Sequence, residues 1–173
     1  MQICPGMAFA IETCHYTSPL GELTLAGTEH ALTGLWFDGQ AHFGATLTAS
    51  CEEGWLPVFD DAFRWLDSYF GGYVPGFTPQ LCLPGTPFRQ AVWQSLLDIP
   101  YGETISYGAL AAKLGPRFSP ASPRAVGGAV GHNPISLIIP CHRVLGAGGR
   151  LTGYAAGLDR KARLLQLERT GSL

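Results

Sequence analysis

Residues 106–131 read SYGALAAKLGPRFSPASPRAVGGAVG, and their reading decides the fold of the second half of the chain. Ser106 can cap a helix from Tyr107 to Leu114, which Gly115 terminates. Ser122-Pro123 then pairs a capping hydroxyl with proline at the first helical position, opening a second helix at Arg124 that runs to Gly131. Two short helices across a turn, the second small and led by an arginine, form the pattern of a helix-turn-helix; an ordinary helical hairpin is a commoner source of the same pattern.

Working outward, Thr86-Pro87 repeats the cap-plus-proline signal, and Phe88, Val92 and Leu96 form one helical stripe that Ile99-Pro100-Tyr101-Gly102 stops. Residues 73–87 hold four prolines and read as a linker. Before it, Phe9 to Tyr16 is β-prone, and Ser18-Pro19-Leu20-Gly21 is a turn. Leu23 and Leu25 alternate with polar residues as in a half-buried strand, and Leu32 to Phe37 is its partner. Pro57 opens a helix with Phe59, Phe63, Leu66 and Phe70 at helical spacing, closed by Gly71-Gly72. The expectation is a small α/β domain over residues 1–83 and a mainly helical domain over 84–173.

Charge divides at the same place. Residues 1–83 carry nine acidic side chains and one basic one (Arg64), a net −8, whereas residues 84–173 carry ten basic and four acidic ones, a net +6. The overall −2 hides a second half suited to a polyanion. No apolar run approaches the ~20 residues of a membrane span, and the N-terminus lacks the basic-then-apolar order of a signal peptide. The cytoplasm is the expected location. Cysteines 4, 14, 51, 82 and 141 are odd in number and form no CxxC pair, so free thiols are expected, with neither a disulfide framework nor a zinc knuckle.

The chemistry points to Asn133-Pro-Ile-Ser-Leu-Ile-Ile-Pro-Cys-His-Arg-Val144. Leu137 to Ile139 is an apolar strand or extended segment, ended by Pro140, so Cys141 stands where buried scaffold gives way to a site. A cysteine attacks as thiolate, and His142 is the adjacent base; the plain alternative is a small buried hydrophobe. In the helix expected from Leu158 to Arg169, Glu168 continues a face formed by Leu158, Ala162 and Leu165. A carboxylate there needs a partner, and orienting a histidine is one use; a solvated Glu beside Arg169 is the other reading. A Glu168–His142 bond is expected to favour imidazolium, and thereby the Cys141 thiolate.

Pro140-Cys141-His142-Arg143-Val144 resembles the signature of the O6-alkylguanine-DNA alkyltransferases, also called methylated-DNA–protein-cysteine S-methyltransferases. The resemblance runs from about Phe88 to Glu168, through Ile99-Pro-Tyr-Gly102, Ser106-Tyr107, Arg124-Ala-Val-Gly127, Asn133-Pro134 and Gly153-Tyr154. In the first half it is confined mainly to Ser18-Pro19-Leu20-Gly21. It implies a ribonuclease-H-like first domain and a winged-helix-like second domain with a helix-turn-helix. It also implies single-turnover DNA repair, in which an alkyl group passes irreversibly from O6 of a flipped guanine, and from O4 of alkylthymine, to Cys141. His142 would act through a water with Glu168 behind it, and Asn133 would brace the turn. Tyr107 and Ser106 would meet DNA, and Arg124 would fill the place of the flipped base. Val144, Tyr154 and Ala155 would line the base pocket.

The implied partner is double-stranded DNA, bound in the minor groove through the helix-turn-helix by a chain that is monomeric in solution; cooperative assembly on DNA stays open. No cofactor is implied. Thr28 and Thr33 stand where some relatives place zinc ligands, so no metal is expected. The Gly115–Pro123 turn looks longer than the family's, and Met7 is an alternative start to Met1. Two other readings compete: a lesion-recognition protein without transfer, against which Cys141 speaks, and a Cys-His-Glu hydrolase, which has no use for Arg124.

Overall fold

The computed structural model describes residues 10–47, 51–115, 117–118 and 121–173. Strands β1 (Ile11–Ser18), β2 (Gly21–Gly27) and β3 (Leu32–Phe37) form an antiparallel meander. A short β4 (Cys51–Glu53) adds parallel to β1, giving the order β3-β2-β1-β4. The β1–β2 turn is closed by Ser18, whose Oγ accepts from Leu20 N (3.1 Å) and donates to Gly21 O (2.6 Å); Gly21 has φ of 118°, a conformation open to glycine.

The sheet is buried more deeply than the alternating pattern suggests. Leu23 to Gly27 and all of β3 are buried. Leu23, Leu25, Leu35 and Phe37 join the main core with helix α1 (Pro57–Phe70), while Ala26 and Trp36 pack with Ile11 and Leu47 on the other face. The buried face of α1 is also rotated from the expected stripe. Val58, Phe59, Ala62, Trp65, Leu66 and Tyr69 face inward, whereas Phe63 and Phe70 sit at the edge against Tyr16 (ring centroids 5.0 and 6.4 Å). Helical spacing identifies a face only to within one position when aromatics occur on both sides of it.

The proline-rich linker is partly structural. Leu32 N donates to Gln80 O (2.8 Å) and Cys82 N to Leu32 O (2.9 Å), so residues 80–82 pair with the edge of β3, burying Leu81 and Leu83. Cys14, Cys51 and Cys141 are free thiols, but Cys82 is disulfide-bonded, contrary to the expectation of free cysteines throughout. Pairing depends on proximity in the folded chain, which spacing along the sequence does not reveal.

Helices α2 (Pro87–Leu97), α3 (Tyr107–Leu114) and α4 (Pro123–Gly131) each begin under a hydroxyl cap. Thr86 accepts from Arg89 N (3.3 Å), Ser106 from Ala109 N (3.0 Å) and Ser122 from Ala125 N (3.1 Å). Trp93 Nε1 donates to Ala129 O (2.9 Å), tying α2 to α4. A two-residue ladder joins β5 (Ile105–Ser106) to β6 (Val144–Leu145), and α5 (Leu158–Thr170) closes the chain at Gly171, which is left-handed. Pro116, Ser119 and Pro120 of the expected long turn, and both candidate start methionines, lie outside the described residues. Among the described residues no helix is long and apolar enough to cross a membrane.

The two halves share one core and several backbone bonds. Leu35 N donates to Pro134 O (2.9 Å) and Ser136 N to Leu35 O (2.8 Å), while Ser136 Oγ bonds Gln40 Oε1 (3.1 Å). The Leu137–Ile139 run, expected as a strand or extended segment, is instead a buried turn. Ile139 N returns to Ile135 O (3.1 Å), and Leu137 adopts a φ of 69°. Docking of Ile135 against β3 forces the reversal, because the chain must double back to deliver Cys141. We predict that Leu35→Ala, which empties a fully buried position at this junction, costs about 2–5 kcal/mol in urea unfolding. A loss under ~1 kcal/mol would show that the junction relaxes around the gap.

Candidate active site

Pro140 introduces a 3-10 turn, Cys141–Arg143, in which all three side chains are buried. Cys141 is only 4% exposed and borders a cavity of about 150 Å³ whose wall includes Tyr107, Gly127, Gly153, Tyr154 and Ala155. Asn133 organises the approach. Its Nδ2 donates to Ile139 O (2.8 Å) and to Cys141 Sγ (3.1 Å), and its Oδ1 accepts from Ile135 N (3.0 Å). The first domain completes the wall with Ala41 and His42: Ala41 N donates to Ala155 O (3.0 Å), and His42 stacks on His132 (3.8 Å).

Glu168 is the centre of the polar network. Its Oε1 accepts from His142 Nε2 (2.6 Å), Tyr69 Oη (2.8 Å) and Arg143 Nη2 (3.0 Å). Its Oε2 accepts from Arg143 Nε (2.9 Å) and Gly102 N (3.0 Å). Burial opposes its charge, but His142 and Arg143 outweigh burial and hold the carboxyl at about 2. With Nε2–H committed to Glu168, neutral His142 has an acceptor at Nδ1, which has no hydrogen-bond partner among the described residues.

Burial pushes the Cys141 thiol up, against the lowering pull of Asn133 and Lys161, and pushes the His142 imidazole down despite Glu168. Burial thus favours a thiol beside a neutral imidazole, whereas Asn133 and Lys161 favour the thiolate and Glu168 favours the imidazolium. Arg143 already occupies Glu168 through a two-pronged ion pair, and a second buried cation beside it is costly.

Glu168 is buried, but the stripe that pointed to it is not. Lys161, Leu164, Leu167 and Glu168 form the inward face of α5, while Leu158 is exposed. Lys161 escaped the sequence reading because lysine is almost never fully buried. Its Nζ donates to the carbonyls of Val144 (2.5 Å), Thr152 (2.8 Å) and Gly153 (3.3 Å), and burial brings it down to about 8. It shapes the loop that forms the cavity wall. Tyr69 was missed as well, since its place on α1 reads as core. Val144 is fully buried beneath Lys161, while Tyr154 and Ala155 border the cavity. Tyr154 Oη is buried with no partner among the described residues.

Around the mouth, Ser106 caps α3, Tyr107 opens it with Oη donating to Gly153 O (3.3 Å), and Arg124 is exposed in the first turn of α4. Ala125 and Gly128 leave the outer face of α4 without bulk. Acid should destabilise the fold through two groups. Folded His142 takes up its proton at a lower pH than the unfolded chain, which does so near 6.5, and Glu168, held by Arg143 and by His142 once protonated, stays ionised toward about 2 while its unfolded counterpart protonates near 4.5. Stability present at pH 7 is thus lost as pH falls. Urea midpoints should decline from pH 7 to pH 3, and Glu168→Gln should flatten the part below about 4.5; parallel curves for parent and variant would contradict this.

Comparison with known proteins identifies the family. The family model described as 6-O-methylguanine DNA methyltransferase, DNA binding domain, matches residues 87–170, and the one described as the ribonuclease-like domain matches residues 14–81. A methylated-DNA–protein-cysteine methyltransferase of Mycobacterium bovis is 47% identical over 153 residues, covering 88% of this chain and 89% of the relative. That of Haemophilus influenzae is 42% identical over 161 residues, covering 92% and 87%. The crystal structure of Mycobacterium tuberculosis OGT in complex with DNA superposes with a TM-score of 0.81 at 44% identity, covering 94% of each chain. With a two-domain match along nearly its whole length, this chain belongs to the 6-O-methylguanine DNA methyltransferase family.

Proposed function

We propose that this chain repairs DNA by moving the alkyl group of O6-alkylguanine onto its own Cys141. The observation that carries the reading is a buried cysteine at the wall of a small cavity, braced by Asn133 and followed by a histidine bonded to a buried carboxylate. His142 Nδ1 takes the thiol proton through one water as sulfur attacks the alkyl carbon. The sulfur–carbon bond forms as the carbon–O6 bond breaks, and the electron pair left on the purine is neutralised by proton return. Glu168 stabilises the imidazolium in passing. The thioether has no easy reverse, so each chain reacts once.

The target atom lies inside a stacked duplex, so the base must be extruded into the cavity. Tyr154 Oη, buried without a protein partner among the described residues, is available to donate to the purine and offset its developing charge. Val144 supports the pocket from below, and the Ala155 backbone forms its side. The exposed Arg124 takes the vacated place in the stack, with Ser106 and Tyr107 against the phosphates. The small outer face of α4 suits close approach to the minor groove, where shape and deformation outweigh base readout. The same pocket chemistry extends to O4-alkylthymine. We place the protein in the cytoplasm, acting as a monomer in solution, and divide it into a 1–83 α/β domain and an 84–173 domain that carries DNA binding and transfer.

A recognition protein would bind and leave its mass unchanged, and a hydrolase would show at most a transient acyl adduct. Intact-mass analysis after incubation with a duplex containing O6-methylguanine should show one permanent methyl gain, mapped to Cys141. Cys141→Ser should abolish that gain and keep duplex affinity within about threefold, about 0.7 kcal/mol. Methyl transfer in the serine variant would remove Cys141 as the acceptor. Arg124→Ala should slow transfer from duplex DNA by at least about tenfold, roughly 1.4 kcal/mol, and leave reaction with free O6-benzylguanine base nearly unchanged. Equal losses on both would contradict the stacking role.

A further inference from the structure

We propose that Tyr69 of the first domain is a positioning residue for alkyl transfer, holding the His142 ring in one plane through their shared acceptor on Glu168. The inference rests on the alkyl-transfer reading above and gives the first domain a part in that reaction.

Tyr69 lies near the end of α1, in a part of the chain that the DNA-binding family model does not cover. It is fully buried, and its Oη donates to Glu168 Oε1 at 2.8 Å while standing 3.2 Å from His142 Nε2. The Nε2–H of His142 reaches Glu168 Oε1 at 2.6 Å. These three atoms close a triangle. Nε2–H points between two oxygens, so the proton has good reason to stay on Nε2, and Nδ1 is left as the acceptor that a thiol proton requires. Among the described residues, Tyr69 is the one member of residues 10–83 that hydrogen-bonds to Cys141, His142, Arg143 or Glu168.

The ring and the hydroxyl have separable tasks. The ring stacks on Trp65 (5.1 Å, 11°) and meets Tyr101 and His142 edge-on (5.9 and 6.3 Å), contacts that phenylalanine reproduces. Packing alone does not call for a hydroxyl here, and burying one costs free energy unless it is bonded. Burial and the Glu168 charge hold the phenol well above its ordinary range, so it stays protonated throughout the reaction. It neither supplies nor takes the transferred proton; it constrains the group that does. Without it, His142 keeps one partner at Nε2 and can rotate about that bond.

The test compares the full-length parent with Tyr69→Phe in single-turnover transfer from a duplex containing O6-methylguanine, at several DNA concentrations. The limiting rate should fall about five- to tenfold, the loss expected for one hydrogen bond that matters in the transition state. The half-saturating DNA concentration should stay within about twofold, and the melting temperature should move little. Nitrogen-15 spectra of His142 should show the Nε2–H tautomer in both proteins, with the Nε2 resonance displaced and broadened in the variant. Unchanged limiting rate and unchanged His142 shifts would overturn the proposal. So would a rate loss matched by equal losses of DNA affinity and thermal stability, which would assign Tyr69 to packing. Absence of any transfer by the parent would instead refute the alkyl-transfer reading, so the two failures are distinguishable.

Discussion

The buried carboxylate of Glu168 is the constraint on which the rest of the site depends. A lone carboxylate in that position would cost several kcal/mol, and the fold meets the demand with five donors from three parts of the chain. Tyr69 comes from α1, Gly102 from the turn after α2, and His142 and Arg143 from the 3-10 turn; Glu168 itself stands near the end of α5. Arg143 also donates to Ile99 O (2.7 Å), anchoring its guanidinium beneath the turn. Displacing any one donor leaves the others around a charge that no longer has its full complement of bonds, so local order at Cys141 is linked to packing across the whole protein.

The arrangement also sets the electrostatic character of the nucleophile. Arg143 balances Glu168, which leaves little surplus negative charge to hold a resting imidazolium. Burial pushes the thiol up, against the lowering influences of Asn133 and Lys161. That suits a protein whose nucleophile can be used once, because an exposed thiolate is open to oxidation and to other electrophiles.

The first domain is more than a support. Its β3 edge receives Pro134 and Ser136, Ala41 bonds the loop that bears Ala155, and Tyr69 reaches the carboxylate. These ties explain why Leu137 accepts a left-handed backbone: Ile135 is pinned to β3 on one side and Cys141 to Asn133 on the other. The two charge-segregated halves therefore fold around one core and share one site, with the basic half carrying the exposed Arg124.

Much of this was legible in the residues themselves. The capping hydroxyls at 86, 106 and 122, with proline at 87 and 123, mark helix starts by local bonding and need nothing distant. Cys141 and its neighbours stood out by their order along the chain. What remained hidden was whatever depends on contacts between distant segments. The inward face of α5 lies one position from the apolar stripe, because a buried lysine finds three carbonyls there. Tyr69 reads as a core aromatic until α1 is laid against α5, and Cys82 reads as a free thiol until the chain folds. The protonation balance of the Cys-His pair is hidden for the same reason. Adjacency in sequence names the groups that can exchange a proton, but their pKa values are set by desolvation and by Arg143, both of which exist only in the assembled structure.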